Sequence, residues 1–220
     1  KELERFVIEL SWKSSRIEGN TYTLLDTERL LREGIEAPGN TKDEATMIVN
    51  HKKAFQYILE AKGNASVFDK RFIEDVHAIL VEGLGISRGF RKGVVGVSGS
   101  SYHPLDIPAQ LEEETTALCT AAARLDDPYS QALLMLVGLS YIQPFEDGNK
   151  RTARLVTNAV LINRGRAPLS YRNVDEVHYR ESMLTFYEQL SVVPMKKIFS
   201  EQYLFSCEQY VKVGRPKNGS

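Results

Sequence analysis

Apolar residues recur at helical spacing along most of the chain. Near the start, Leu3, Phe6, Val7 and Leu10 fall on one face of a helix, with charged residues between them. The same spacing, interrupted at prolines and glycines, predicts helices near residues 2–17, 23–33, 42–62, 69–83, 106–125, 129–142, 148–164, 173–190 and 194–212. We therefore predict an all-α protein, with helix ends placed to within a few residues.

One segment departs from the helical pattern. Between residues 89 and 105, the β-favouring Val94, Val95 and Val97 alternate with glycines and are followed by serines. This composition predicts a short β-hairpin or a mobile flap. A plain surface connection is an alternative, because glycine-rich loops are common.

Size and charge limit the classes of function. With 220 residues, 42% of them hydrophobic, the chain can form one domain with some elaboration. Its formal net charge of −1 provides no global field for nucleic acid, so an anion site must be local. No stretch approaches the roughly 18 apolar residues of a membrane span, and the charged start does not resemble a secretion signal. We therefore expect a cytoplasmic protein without a membrane partner.

A dense polar stretch, residues 143–154, lies between two strongly apolar helices. Pro144 should end the incoming helix, and Gly148 allows a tight turn before the next one begins. The free backbone N–H groups of Gly148, Asn149 and Lys150 would then point outward at the positive end of a helix dipole. Such an arrangement predicts a phosphate-binding loop.

The side chains of this stretch fit the same prediction. Lys150, Arg151 and Arg154 place three cations on the first turn of the helix, where an anion would relieve their repulsion. Asp147 supplies a hard oxygen ligand of the kind that Mg²⁺ takes when it bridges phosphates, and Glu146 is a weaker candidate. The alternative is a charged helix end in which Asp147 pairs with an arginine and nothing binds.

These residues resemble the signature of the Fic family, His-x-Phe-x-Asp/Glu-Gly-Asn-Gly/Lys-Arg-x-x-Arg. The chain matches it from Phe145 to Arg154 in order and spacing. The segment 89–105 is similar to the flap of that family, and Ser14 to Gly19 is similar to its Ser/Thr-x-x-x-Glu-Gly/Asn inhibitory pattern. The resemblance implies an all-α core with a β-hairpin flap and an N-terminal inhibitory helix.

The resemblance also implies an activity, which is the transfer of AMP from ATP to a hydroxyl group of a target protein. The flap would align that target by strand-like pairing. The implied roles are Mg²⁺ binding by Asp147, phosphate binding by Gly148, Asn149 and Lys150, assistance by Arg151, and γ-phosphate binding by Arg154.

The chain departs from the family at Gln143, which stands where the family has histidine. That histidine takes the proton of the target hydroxyl, whereas glutamine has no titratable group. We therefore expect ATP binding with severely impaired transfer. This glutamine has two explanations. The chain is a natural, catalytically silent nucleotide-binding protein, or the histidine of an active enzyme was replaced by engineering.

A second element of control is implied near the N-terminus. By resemblance, Ser14 and Glu18 share a helix face, and the Glu18 carboxylate reaches Arg154 and keeps it from the γ-phosphate. This implies autoinhibition, or removal of AMP from targets if Glu18 aligns a water molecule. Without the resemblance, Glu18 would be interpreted as an ordinary acidic residue at a helix end.

These assignments divide the chain into an N-terminal helical segment with the inhibitory motif (residues 1–60), a Fic core (61–212) and a tail or start of a linker (213–220). The basic tail could lead into a DNA-binding module, but nucleic acid is not expected to bind this chain alone. The expected partners are ATP, with Mg²⁺ as cofactor, and a target protein docked on residues 89–105.

Overall fold

The computed structural model describes residues 1–63 and 66–210, and these form a helical protein. The helices, in chain order, are α1 (Glu2–Ile17), α2 (Leu24–Glu33), α3 (Lys42–Glu60), α4 (Lys70–Leu80), α5 (Pro108–Ala123), α6 (Pro128–Ile142), α7 (Asn149–Asn163), α8 (Glu176–Gln189) and α9 (Val193–Gln209). Each predicted helix is present, with ends that differ by a few residues. The predicted tail at residues 213–220 lies outside the described part of the chain.

Side-chain caps fix where several helices begin. Thr23 and Asp127 accept hydrogen bonds from backbone N–H groups in the first turns of α2 and α6. Thr41 and Glu44 form a capping box at the start of α3, each accepting from the other's backbone N–H. These caps satisfy N–H groups that the helices themselves cannot, and they fix the first residues of the helices.

Helix α7 lies at the centre of the fold. It packs against α6 most extensively and also contacts α1, α3 and α4. Every residue of α7 except Lys150 and Asn163 is buried, so the helix is enclosed on all sides. A helix enclosed in this way is held rigidly, and the loop at its N-terminus is held with it.

Helix α1 shares the main hydrophobic core with these helices. Phe6, Val7, Leu10 and Ile17 are buried in the cluster that also contains the apolar residues of α6 and α7. A smaller cluster, which includes Tyr22, holds α2 against α3. The packing of α1 therefore sets the position of the residues at its C-terminal end.

The β-hairpin predicted for residues 89–105 is not formed. This segment contains no strand, and its backbone hydrogen bonds include the bond from Arg91 to Pro144 and a turn from Ser100 to Val97. A hairpin requires a ladder of cross-strand bonds, and the exposed, glycine-separated valines do not create one. Side chains fasten the segment instead: the Tyr102 hydroxyl donates to the Tyr141 carbonyl at 2.9 Å.

The carboxylate of Glu188, on α8, provides a second attachment for this segment. It accepts from the backbone N–H of Ser101 at 2.7 Å and from the Ser101 hydroxyl at 2.8 Å, and the Ser100 hydroxyl also donates to it. The segment is therefore an irregular loop tied to α6 and α8. None of the helices in the described ranges combines the length and apolar character needed to cross a membrane.

Candidate functional site

The loop between α6 and α7 begins at Gln143, which adopts a left-handed backbone conformation with φ 52° and ψ 57°. Its N–H still donates to the Leu139 carbonyl, so Gln143 closes α6. Its side-chain amide donates to the Ser140 carbonyl at 2.5 Å, and the residue is only 7% exposed. The residue at the family's histidine position is thus buried and fixed against the end of α6.

Asn149 holds the loop in shape through two hydrogen bonds to one residue. Its Oδ1 accepts from the Phe145 N–H, and its Nδ2 donates to the Phe145 carbonyl, both at 2.8 Å. The His77 ring stacks on Phe145 with centroids 3.7 Å apart, and its Nε2 lies 2.9 Å from the Asp147 carbonyl oxygen. The backbone before α7 is therefore preorganised by side chains behind it.

The N-terminus of α7 presents backbone donors as the sequence predicts, with one difference. The first intrahelical hydrogen bond runs from Thr152 to the Gly148 carbonyl, so the N–H groups of Asn149, Lys150 and Arg151 precede it. The N–H of Gly148, predicted as a phosphate donor, instead donates to Asp147 Oδ1 at 2.6 Å. The available anion-binding turn thus begins one residue later than predicted.

Two of the three cations of this turn are paired with Glu18, at the C-terminal end of α1. Arg154 Nη2 lies 2.8 Å from Glu18 Oε1, and Lys150 Nζ lies 3.1 Å from Glu18 Oε2. Arg154 is fully buried, and it also donates from Nε to the Ser14 hydroxyl and from Nη2 to the Ser14 carbonyl. The Tyr179 ring lies beneath its guanidinium, 5.4 Å away. The contact between Glu18 and Arg154 that the resemblance implies is present, and Ser14 binds the same arginine.

The electrostatics of Glu18 follow from this geometry. Burial by itself would raise the pKa of the carboxyl group, but Arg154 and then Lys150 outweigh burial and lower the pKa to about 2. For Arg154, burial lowers the pKa and Glu18 raises it, with a net rise. Both groups are therefore ionised throughout the physiological pH range.

The third cation, Arg151, pairs with Asp147. Its Nη2 lies 3.2 Å from Asp147 Oδ2, and the guanidinium is buried while the Asp147 side chain is 65% exposed. Arg151 and Arg154 each keep one buried group, Nη1, without a hydrogen-bond partner among the described residues. Buried guanidinium donors without partners are costly, and an oxyanion would satisfy them.

Asp147 offers the site a metal ligand of suitable chemistry. No group of three or more histidine, cysteine or acidic side chains in the described residues could hold a metal ion by itself. Mg²⁺ is commonly held by one or two carboxylates together with substrate phosphates and water. The exposed Asp147 carboxylate beside an anion-binding turn fits an ion of that kind.

Two buried histidines near the site were not evident from the sequence. The amphipathic pattern around His51 and His77 predicts interfacial or solvated side chains, yet both are fully buried. Burial, together with the nearby charges of Arg154 and Arg151, lowers the pKa of His51 to about 3, so His51 is neutral. Their burial reflects helices packed on both sides, which a one-sided apolar pattern does not indicate.

Comparisons with known proteins find a matching family and a similar fold. Residues 67–161, which contain the 89–105 segment and the loop before α7, match the Fic/DOC family. A protein of Nematostella vectensis named protein adenylyltransferase Fic is 32% identical over 178 residues, covering 77% of this chain and 41% of the relative. The protein of the same name from Drosophila mojavensis is 32% identical, covering 72% of this chain and 32% of the relative.

A solved structure gives the same result for the fold. The crystal structure of a Fic domain containing signaling protein from Bacteroides thetaiotaomicron superposes with a TM-score of 0.79 at 22% identity, covering 97% of this chain and 88% of that chain. The present chain spans about two fifths of the length of the Nematostella relative. On its signature loop, its helical fold and these relatives, the chain contains a domain of the Fic/DOC family, matched over residues 67–161.

Proposed function

We propose that this chain carries a protein adenylyltransferase site, which transfers AMP from ATP to a hydroxyl group of a target protein and is held back by Glu18. The carrying observation is the buried Arg154, which lies on the anion-binding turn of α7 and is paired with Glu18 at 2.8 Å. The names of the curated relatives support the same activity.

The turn of α7 suits a triphosphate. The N–H groups of Asn149, Lys150 and Arg151 and the partial positive charge of the helix end would bind phosphate oxygens. Arg154 would bind the γ-phosphate once Glu18 moves away. Because Glu18 occupies the cation that ATP needs, the two compete, and this competition is the proposed autoinhibition.

Mg²⁺ is the metal proposed for this site, with Asp147 as its protein ligand. When bound, the ion would neutralise the charge of the phosphates and hold them in one orientation. Asp147 is suited to this role because its carboxylate is exposed beside Arg151.

In the proposed reaction, the target hydroxyl oxygen bonds to the α-phosphorus while the bond to the pyrophosphate oxygen breaks. The hydroxyl proton must leave, and a histidine at position 143 would accept it. Gln143 lies fixed at that position and cannot accept the proton, so transfer should be slower by about 10²–10⁴-fold. This residue also favours a second candidate, a silent nucleotide-binding protein that docks partners.

The proposed target-docking surface is the segment 89–105. Val94 is 75% exposed, and the glycines around it leave the backbone accessible. An extended stretch of target could pair with this backbone, so that a strand forms only in the complex. The Glu18 carboxylate in the same site also makes a hydrolysis, in which water releases AMP and restores the target hydroxyl, a candidate to be measured.

The test uses ATP labelled on its α-phosphate, with Mg²⁺, and follows label in the chain itself and in a cell lysate. Three proteins are compared: the chain, Gln143→His, and Gln143→His with Glu18→Gly. We expect label only when histidine is present, and more when Glu18 is also removed. Adding Arg154→Ala to the double variant should abolish the label, and ATP labelled on the γ-phosphate should give none.

Other outcomes would identify the competing functions. No label from any variant, with ATP binding retained, would favour the silent nucleotide-binding protein. If the Gln143→His variant releases label from a modified protein and the variant with both Gln143→His and Glu18→Gly does not, AMP removal is favoured. Labelling that is equal with and without Glu18 would contradict autoinhibition.

A further inference from the structure

Arg91 is a buried arginine for which the signature motif provides no role. It is 4% exposed and lies in the loop between α4 and α5. Its side chain donates to three backbone carbonyls: Nε to Gln143 at 2.7 Å, Nη1 to Gly93 at 2.8 Å, and Nη2 to Leu105. Its backbone N–H donates to the Pro144 carbonyl at 2.9 Å.

The bond to Gln143 supplies a partner for a carbonyl group that the left-handed conformation turns away from α6. At φ 52°, Gln143 leaves the helical path, so its carbonyl cannot accept a bond within α6. A buried carbonyl requires a donor from elsewhere, and Arg91 Nε supplies it. The orientation of the backbone at position 143 therefore depends on Arg91.

The other two bonds hold the segment 89–105 near both of its ends. Gly93 and Leu105 lie 12 residues apart, and one guanidinium joins their carbonyls. Because a guanidinium is planar and its donors have fixed directions, it holds three acceptors in one arrangement. Position 143 and the two ends of the segment are thus fixed relative to one another through one side chain.

We propose that Arg91 is a positioning residue that keeps the segment 89–105 in register with the residue at position 143. This inference rests on the proposed function for its catalytic meaning, because a target held on the segment would be aligned with the proton acceptor. A misplacement of about 1 Å can reduce the rate of an enzyme about 100-fold, so the loss of this link should lower turnover.

The connection that Arg91 makes between position 143 and the segment can be tested without measuring activity. Amide hydrogen exchange is compared between the unmodified chain and the same chain with Arg91→Gln. We expect exchange at least about tenfold faster at the amides of residue 91, Ser101 and Phe145 together, since the bonds to Pro144, Glu188 and Asn149 loosen as one. Arg91→Lys, which has one donor group in place of the fork, should behave alike and serves if the first variant does not fold.

Glu188→Ala is the matched control. It frees Ser101 from α8 and leaves the bonds of Arg91 intact, so exchange should rise at Ser101 and not at residue 91 or Phe145. If Arg91→Gln raises exchange only at Ser101, as Glu188→Ala is expected to do, then Arg91 does not connect the segment to position 143 and the proposal fails.

Activity is measured as self-labelling from ATP in the variant with Gln143→His and Glu18→Gly. Adding Arg91→Gln should lower kcat about 10–100-fold with KM for ATP within twofold, whereas an exposed arginine, Arg124→Gln, should change neither. An unchanged kcat overturns the proposal. If the parent variant gives no label while exchange rises together at all three amides, the proposed function fails and the positioning link stands.

Discussion

Replacing Glu18 with glutamine should lower the free energy of unfolding at neutral pH by about 3 kcal/mol. The carboxyl pKa falls from 4.5 to about 2 on folding, and each pKa unit corresponds to about 1.4 kcal/mol. The side chain is only 15% exposed, so solvent screens the ion pair little. Glutamine keeps the size of the side chain and removes the charge that Arg154 and Lys150 face.

The pH dependence of this difference has a definite sign. A carboxyl group whose pKa is lowered in the folded state stabilises it fully above pH 4.5, and this contribution is lost as the pH falls toward about 2. The difference between the two proteins should therefore shrink from about 3 kcal/mol at pH 7 toward zero near pH 2. The pKa of Glu44 is also lowered to about 2, first through its hydrogen bond with Thr21, but Glu44 is common to both proteins.

Urea unfolding between pH 2 and 8, followed by the fluorescence of Trp12 on α1, measures this difference directly. Saturating ATP with Mg²⁺ should stabilise Glu18→Gln more than the unmodified chain, because Arg154 is then free for phosphate. A difference that stays constant across this pH range, or one below about 1 kcal/mol at pH 7, would refute the ion-pair reasoning.

Three further substitutions test other parts of the structure. In the Glu18→Gln variant, where Arg154 is free for phosphate, adding Arg154→Gln should weaken ATP binding at least about tenfold by calorimetry. An unchanged affinity would mean that the triphosphate lies elsewhere. Asn149→Ala should lower the free energy of chemical unfolding by about 1–3 kcal/mol, because the buried N–H and carbonyl of Phe145 each lose their partner. An unchanged stability would mean that these two bonds do not hold the loop. Gly138→Ala would place a Cβ 2.5 Å from Leu118 Cδ1. This clash should lower the free energy of unfolding by about 1–3 kcal/mol and leave ATP affinity unchanged. A fall in affinity would show that α5 and α6 position the site.

The helices were predictable because their signals are local. The apolar spacing of α1, the capping pair at Thr41 and Glu44, and the cap at Asp127 are all read directly from neighbouring residues. The segment 89–105 was predicted wrongly as a hairpin, because its valines favour strands only when a second strand lies beside them. The partners of this segment include Tyr141, Pro144 and Glu188, which are distant from it in the sequence.

The site was predictable where one short motif carries it. Asp147, Lys150 and Arg154 lie together because they are close in the sequence, in the loop before α7 and its first two turns. Arg91 was not predictable, since no local pattern distinguishes an arginine that binds three distant carbonyls from one that is solvated. The role of His77 behind the loop depends likewise on a contact with residue 147, far along the chain.

Because α7 is enclosed, its arginines serve both the fold and the proposed phosphate site. A survey of all single substitutions in the Gln143→His variant would distinguish these arginines from their neighbours. Arg151 and Arg154 are structural members of the protein interior as well as candidate ligands for phosphate, so most replacements there should lower cellular abundance and activity together. Asp147 lies on the exposed rim of the same turn, and its replacements should remove activity while abundance is maintained. Substitutions in the innermost part of this site should therefore disturb folding and the proposed chemistry at once, and substitutions at its rim the proposed chemistry alone.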